Sequence, residues 1–175
     1  MEADEPGAVL LDAYDTALPR VYGYLLSRCG RQALAEDLTA EVFLAAVDVV
    51  RREDPRLVTT PWLIGTARHK LVDHWRRQAR EDRVLHALTA DRAGPAATED
   101  PWAVRLDALR SQAVLDQLGP HHRAALTLRY LDDLPVPQVA ALLDRTLHAT
   151  EALLVRARTA FRQAYLDTGE DDDGD

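Results

Sequence analysis

Apolar residues along this chain recur at intervals of three and four, and no stretch keeps the two-residue alternation of a half-buried strand. Leu10, Tyr14, Leu18, Val21 and Leu25 fall on one stripe and predict a first helix over about Val9–Arg28. A second is predicted over Gln32–Val50, with Leu34, Leu38, Val42, Ala45 and Val49 inward. A third starts near Pro61, a residue suited to a first helical turn, and runs to about Arg80. Its inward stripe is Leu63, Ala67, Leu71 and Trp75. Residues 89–101, TADRAGPAATEDP, break the pattern and read as a linker. Beyond it, Trp102–Leu118 is helical and closed by Gly119-Pro120. Short helices follow at 121–131 and 136–143, then a long one from His148 to Asp167. The predicted fold class is all-α: two small helical domains, 8–84 and 104–167, joined by a flexible linker at 85–103, with an acidic tail at 168–175.

With 47% hydrophobic and 29% charged residues the 175-residue chain has enough apolar material to fold. One cysteine, Cys29, excludes an intramolecular disulfide and a cysteine-based zinc cage. There is neither a basic start leading into an apolar run nor an apolar stretch of membrane-spanning length, so the expectation is a soluble, cytoplasmic protein without membrane insertion. The net charge of −8 argues against nucleic acid until it is mapped. Residues 1–17 carry −5 and residues 166–175 carry −6, which leaves +3 on 18–165. Local field, not total charge, steers a ligand, so the body of the chain remains compatible with a polyanion. The acidic ends read as solvated tails.

Two stretches carry candidate chemistry. In PWLIGTARHKLVDHWRRQAREDR, residues 61–83, the bases Arg68, Lys70, Arg76, Arg77 and Arg80 face a single acid, Asp73, between Thr66 and Arg80. A basic helix with aromatics suits phosphates and unstacked bases, while an ordinary solvated amphipathic helix explains the same pattern. The stretch LPVPQVAALLDRTLHATEALLVRARTAFRQAY, residues 134–165, has helix-turn-helix spacing. Val139, Leu142 and Leu143 face inward on its first helix, and Thr150, Leu154, Ala157, Phe161 and Tyr165 on its second. The opposite face offers Glu151, Ala152, Val155, Arg156, Arg158 and Arg162; a generic helical hairpin is the alternative.

Over nearly its whole length the chain resembles the extracytoplasmic-function (ECF, group IV) sigma factors, small bacterial transcription initiation factors. AEDLTAEVFLAAV (35–47) resembles the family's polymerase-gripping motif, PWLIGTARHKLVDHWRR (61–77) its minus-ten motif, and residues 115–162 its minus-thirty-five-reading domain. The resemblance implies that the first domain binds RNA polymerase core and melts the minus-ten element, and that the second reads the minus-thirty-five element. It assigns polymerase binding to Glu36, Asp37, Leu38, Glu41 and Phe43, as residues at the interface or supporting it. Minus-ten contacts fall to Trp62, Arg68, His69, Arg76 and Arg77, beside a base-capturing loop at about Arg51–Thr60. Minus-thirty-five contacts fall to His148, Glu151, Ala152, Val155, Arg156 and Arg158. The implied partners are RNA polymerase core, through its clamp helices and flap, promoter DNA, and an anti-sigma factor; no catalytic residue, metal or cofactor is implied.

The chain departs from the family pattern at several positions. Ala40 stands where glutamine is common and His69 where asparagine is. His148 replaces a small residue, and Glu151 and Leu153 replace bases. Pro135 replaces a frequent helix cap, a loss that Asp133 could offset. Asp37 and Glu41, spaced i, i+4, form an acidic ridge suited to a basic helix; as carboxylates they could also bind a metal, but no histidine is near them in sequence. His121-His122 reads as a solvated helix start. Two other readings remain: a helix-turn-helix regulator that acts without polymerase, which leaves 35–47 and 61–77 without purpose, and an enzyme, for which no nucleophile–base pair, phosphate loop or metal cluster is present.

Overall fold

The structure, a computed structural model, describes residues 6–52, 55–86 and 108–170, with side chains for 14–52, 56–83 and 111–167. The expected linker core 89–101 lies outside the described residues, as does Trp102, and of Leu10 only the backbone is described. Helices account for nearly all that is described: α1 (Pro6–Cys29), α2 (Gln32–Arg52), α3 (Thr60–His86), α4 (Ala108–Gln117), α5 (Pro120–Leu126), α6 (Val136–Leu143) and α7 (Leu147–Glu170). A 3-10 turn, Pro55–Leu57, precedes α3, and a π turn, Thr127–Leu131, extends α5. The first three residues of the expected tail continue α7. The chain divides into two compact units, 1–73 and 74–175, with the division inside α3.

In the first unit, α1 and α2 pack against each other across a two-residue connection. Gly30 supplies it: at φ 65 it adopts the left-handed conformation that a side chain resists, and its N–H donates to the Leu26 carbonyl at 2.9 Å, closing α1. Ala17, Val21, Leu25 and Cys29 form the buried stripe of α1. Burial of each Leu or Val contributes about 1.5–3 kcal/mol relative to exposure. On α2 the buried set is Ala35, Leu38, Thr39, Val42, Phe43 and Ala46. The expected inward residues Leu34, Ala45 and Val49 are only half-buried, so the true stripe is rotated from the predicted one. On the part of α3 in this unit, Leu63, Ala67 and Leu71 are buried as expected; beyond the division, Trp75, also expected, and Ala79 are buried as well. Thr59 starts this helix: its hydroxyl accepts from the Trp62 N–H at 3.3 Å and its carbonyl from the Leu63 N–H at 2.9 Å.

The second unit centres on Val114, Leu115, Leu118, Leu126, Ala157 and Phe161, with Tyr165 stacked on Phe161 at 6.2 Å. Arg123 is only 8% exposed and satisfies the end of α4. Its Nε donates to the Leu115 carbonyl at 2.9 Å and its Nη2 to the carbonyls of Asp116 and Leu118. The last carbonyls of a helix have no intrahelical donor, so this guanidinium acts as a cap delivered from the following helix.

Candidate functional site

The exposed face of α2 carries Asp37, Ala40, Glu41, Leu44 and Asp48, spaced three and four apart on the side away from the buried stripe. Glu36 is also exposed, with Gln32 donating to its carboxylate at 2.8 Å. Glu41 pairs with Lys70 of α3 at 3.2 Å, so one base counted towards phosphate binding is engaged inside the first unit. Leu38 and Phe43 are core residues, not surface contacts. Leu38 is buried, and Phe43 packs edge-on against Tyr14 at 4.7 Å. They hold the ridge in place from behind. Sequence reasoning missed Leu44, which is 66% exposed in the middle of the acidic ridge; its signal was a large apolar residue three beyond Glu41 and off the buried stripe. Beside the ridge lies a largely apolar groove of about 460 Å³ between α1 and α2, lined by Tyr14, Leu18, Pro19, Tyr22, Thr39 and Ala40 among others.

On α3, Trp62, His69, Arg76 and Arg80 follow one another at seven, seven and four residues, opposite the Leu63–Ala79 stripe, with Arg77 exposed beside them. Arg68 lies apart from this line, half-buried at the margin of the apolar stripe. Of the expected base-capturing loop at Arg51–Thr60, residues 53–54 lie outside the described residues, and much of the remainder is helical. Arg51 and Arg52 end α2, and the 3-10 turn packs against α1 and α2. Val58 is buried, while Leu57 stays exposed.

The helix-turn-helix is formed by α6 and α7 with three residues between them. Asp144 takes the left-handed conformation at φ 54. Its N–H donates to the Ala141 carbonyl and that of Arg145 to the Ala140 carbonyl, the paired bonds that close a helix over a left-handed residue. Aspartate is among the few side chains that tolerate this geometry. Thr146 then caps α7: its hydroxyl accepts from the Ala149 N–H at 3.2 Å and its carbonyl from the Thr150 N–H at 3.0 Å, an arrangement worth about 1 kcal/mol. At the start of α6 no side chain caps. Pro135 occupies the cap position, and its carbonyl accepts from the Gln138 and Val139 N–H groups. Asp133 therefore does not substitute as a cap; it is held at φ 51 near Arg129.

Along α7, Thr150, Leu154, Ala157 and Phe161 are buried as expected. Leu153 is also buried, 3% exposed, so it is a core position and not one where a base could meet DNA. His148, Ala152, Val155, Thr159 and Arg162 run along the outward face, with Glu151 on one edge and Arg156 on the other. Arg158 is half-buried, and its Nη1 donates to the Tyr130 hydroxyl at 3.5 Å. Leu147, which was not anticipated, is 48% exposed at the tip of the helix.

His121 and His122 correct the expectation of a solvated pair. Both are half-buried at the start of α5, and both titrate below the ordinary histidine value. Burial is the main cause for each; Arg145 adds to it for His121, held at about 4, and Arg156 for His122. A histidine kept neutral by folding contributes stability in full above its unfolded value of about 6.5 and loses it as pH falls towards the folded value. The urea midpoint of the second unit is therefore expected to fall between pH 7.5 and pH 5, and His122→Gln to flatten that slope. An unchanged pH profile in the variant would count against the assignment.

Among the described residues the chain is all-helical, with an exposed acidic ridge on α2 and a capped helix-turn-helix formed by α6 and α7. Comparison with known proteins shows the family. The Sigma-70 region 2 family matches residues 13–81 and the Sigma-70 region 4 family residues 109–161. The RNA polymerase sigma factor CarQ of Myxococcus xanthus is 33% identical over 137 residues, covering 75% of this chain and 74% of CarQ. The ECF RNA polymerase sigma factor BldN of Streptomyces coelicolor is 30% identical over 173 residues, 89% of this chain and 58% of BldN, so the chain spans little more than half of that relative. In fold it is similar to the sigma factor RpoE of Bartonella quintana, solved with the anti-sigma factor NepR, at a TM-score of 0.51 and 18% identity over 88% of this chain and 94% of that one. The chain belongs to the ECF sigma factors of RNA polymerase. No described helix is long and apolar enough to cross a membrane.

Proposed function

We propose that this chain is a group IV initiation factor that docks on RNA polymerase core and directs it to two-part promoters. The α2 ridge, with Asp37 and Glu41 around Leu44, faces the polymerase clamp helices, and the second domain engages the flap. The aligned Trp62, His69, Arg76 and Arg77 of α3 meet the minus-ten element. An unstacked base costs a few kcal/mol to extract, offset by stacking and phosphate contacts. The outward face of α7 enters the major groove of the minus-thirty-five element. The functional domains are 8–84 and 104–167, with 85–103 threading along the enzyme. Polymerase performs the chemistry, so the factor needs no catalytic residue, metal or cofactor, and it works in the cytoplasm. An anti-sigma factor covering both domains would hold it inactive.

The observation that carries this reading is the order of surfaces in one chain: acidic ridge, basic aromatic helix, helix-turn-helix. A helix-turn-helix regulator working alone would have no use for the first two. The test is transcription in vitro with the host's core polymerase over a genomic library. Discrete start sites that depend on this chain are expected, and a complete lack of transcripts would overturn the reading.

A further inference from the structure

The outward face of α7 is poor in the charge that DNA-reading helices normally present. At its N-terminal end it shows Leu147, His148, Glu151, Ala152 and Val155, and its arginines begin only at Arg156. A carboxylate in such a position is repelled by phosphates and is tolerated only if something else holds it. Within the helix nothing does: the positions three and four residues away from Glu151 are Leu147, His148, Leu154 and Val155, none of them lysine or arginine. Glu151 is also past the first turn after the Thr146 cap, where the attraction of the helix dipole for an acid has decayed. It is exposed, and apart from His148 its neighbours on the helix surface, Leu147, Ala152 and Val155, are apolar.

These constraints leave an acceptor aimed outward, flanked by small apolar side chains, on the turns of the second helix that reach base edges. In the major groove the only base group that offers a donor without an adjacent acceptor of its own is the cytosine N4 amino group, which a carboxylate accepts from; alanine and other apolar side chains pack on the thymine methyl. Resting on the reading of this unit as the upstream-element reader, we propose that Glu151 selects a cytosine and that Ala152 and Val155 select neighbouring thymines. The specificity of the helix then comes from acceptor and methyl contacts at its tip, while Arg156 and Arg162, further along, hold phosphates. Upstream sequences rich in guanine on the contacted strand, which call for arginine or lysine donors, are disfavoured by this surface.

The experiment is transcription by core polymerase with the full chain on templates whose upstream element is randomised and whose minus-ten element is fixed. At one upstream position cytosine is expected over each other base by at least about fivefold, with thymine enriched beside it. Glu151→Gln keeps the shape and changes the chemistry, because glutamine pairs with adenine N6 and N7; the preference at that single position is expected to move from cytosine to adenine. Glu151→Ala is expected to flatten it while leaving the other positions and the minus-ten preference unchanged. Transcripts with a flat profile, or a profile identical in Glu151→Gln, would overturn this assignment alone. Absence of transcripts from every template would overturn both it and the sigma-factor reading.

Discussion

Arg123→Met is expected to unfold the second unit while leaving α1 and α2 folded. Methionine fills similar space but donates nothing, so the carbonyls of Leu115, Asp116 and Leu118 lose the guanidinium that serves them at the buried end of α4. Each buried carbonyl left without a donor costs about 1–3 kcal/mol, and the Asp116 carboxylate, 3.9 Å from Nη1, loses its counter-charge as well. A combined loss of about 3–5 kcal/mol is in the range seen when one member of a buried charged network is removed. That is comparable to the whole stability of a helical module this small, at about 0.05–0.15 kcal/mol per residue. Hydrogen exchange on the full chain should show protection lost across α4–α7 and kept across α1 and α2. Arg123→Lys, with one compact donor group, should recover part of the loss. Unchanged protection in both variants would show that the cap contributes nothing.

Asp37→Lys is expected to abolish association with polymerase core, by about a hundredfold or more in Kd, without changing helix content. The residue is exposed on α2, so reversing its charge leaves the Leu38–Val42–Ala46 stripe beneath it untouched. At an interface built on charge complementarity, placing like charges together costs several kcal/mol. Glu41→Gln should have a smaller effect, because part of the Glu41 charge is already answered by Lys70. Analytical gel filtration with core polymerase, repeated at raised salt, distinguishes the two: the electrostatic part should weaken as the Debye length shortens. Full binding by Asp37→Lys would remove the α2 ridge from the interface.

Much of the fold was legible in the chain because helical period is a local property. Residues 136–143 were predicted helical and α6 is Val136–Leu143; the stripes Leu63–Trp75 and Thr150–Phe161 are buried as their spacing implied. On α2 the same reasoning turned the stripe by part of a turn. The spacing chosen put Leu34, Ala45 and Val49 inward, whereas the helix buries Ala35, Thr39, Phe43 and Ala46. Leu44 and Leu147, large apolar residues that face outward, were not singled out by spacing at all. For the candidate site, Asp37, Glu41, His69, Arg77, Glu151 and Arg156 stand where a surface role needs them or close to it. Leu38, Phe43 and Leu153 instead belong to cores that only the three-dimensional packing could define. Arg123 left no trace in periodicity, since its partners lie five to eight residues back on another helix.

What the amino-acid order alone settled is most of the helices and the placing of acid, base and aromatic groups along them. Both follow from spacing and charge within a turn or two of each residue. The tertiary structure decided which side of each helix meets another: that Lys70 of α3 answers Glu41 of α2, that Arg123 of α5 serves the carbonyls at the end of α4, and that Leu153 is buried while Leu44 stays outward. Those outcomes depend on groups distant in sequence competing for the same space and the same hydrogen-bond partners, and no local pattern records who wins.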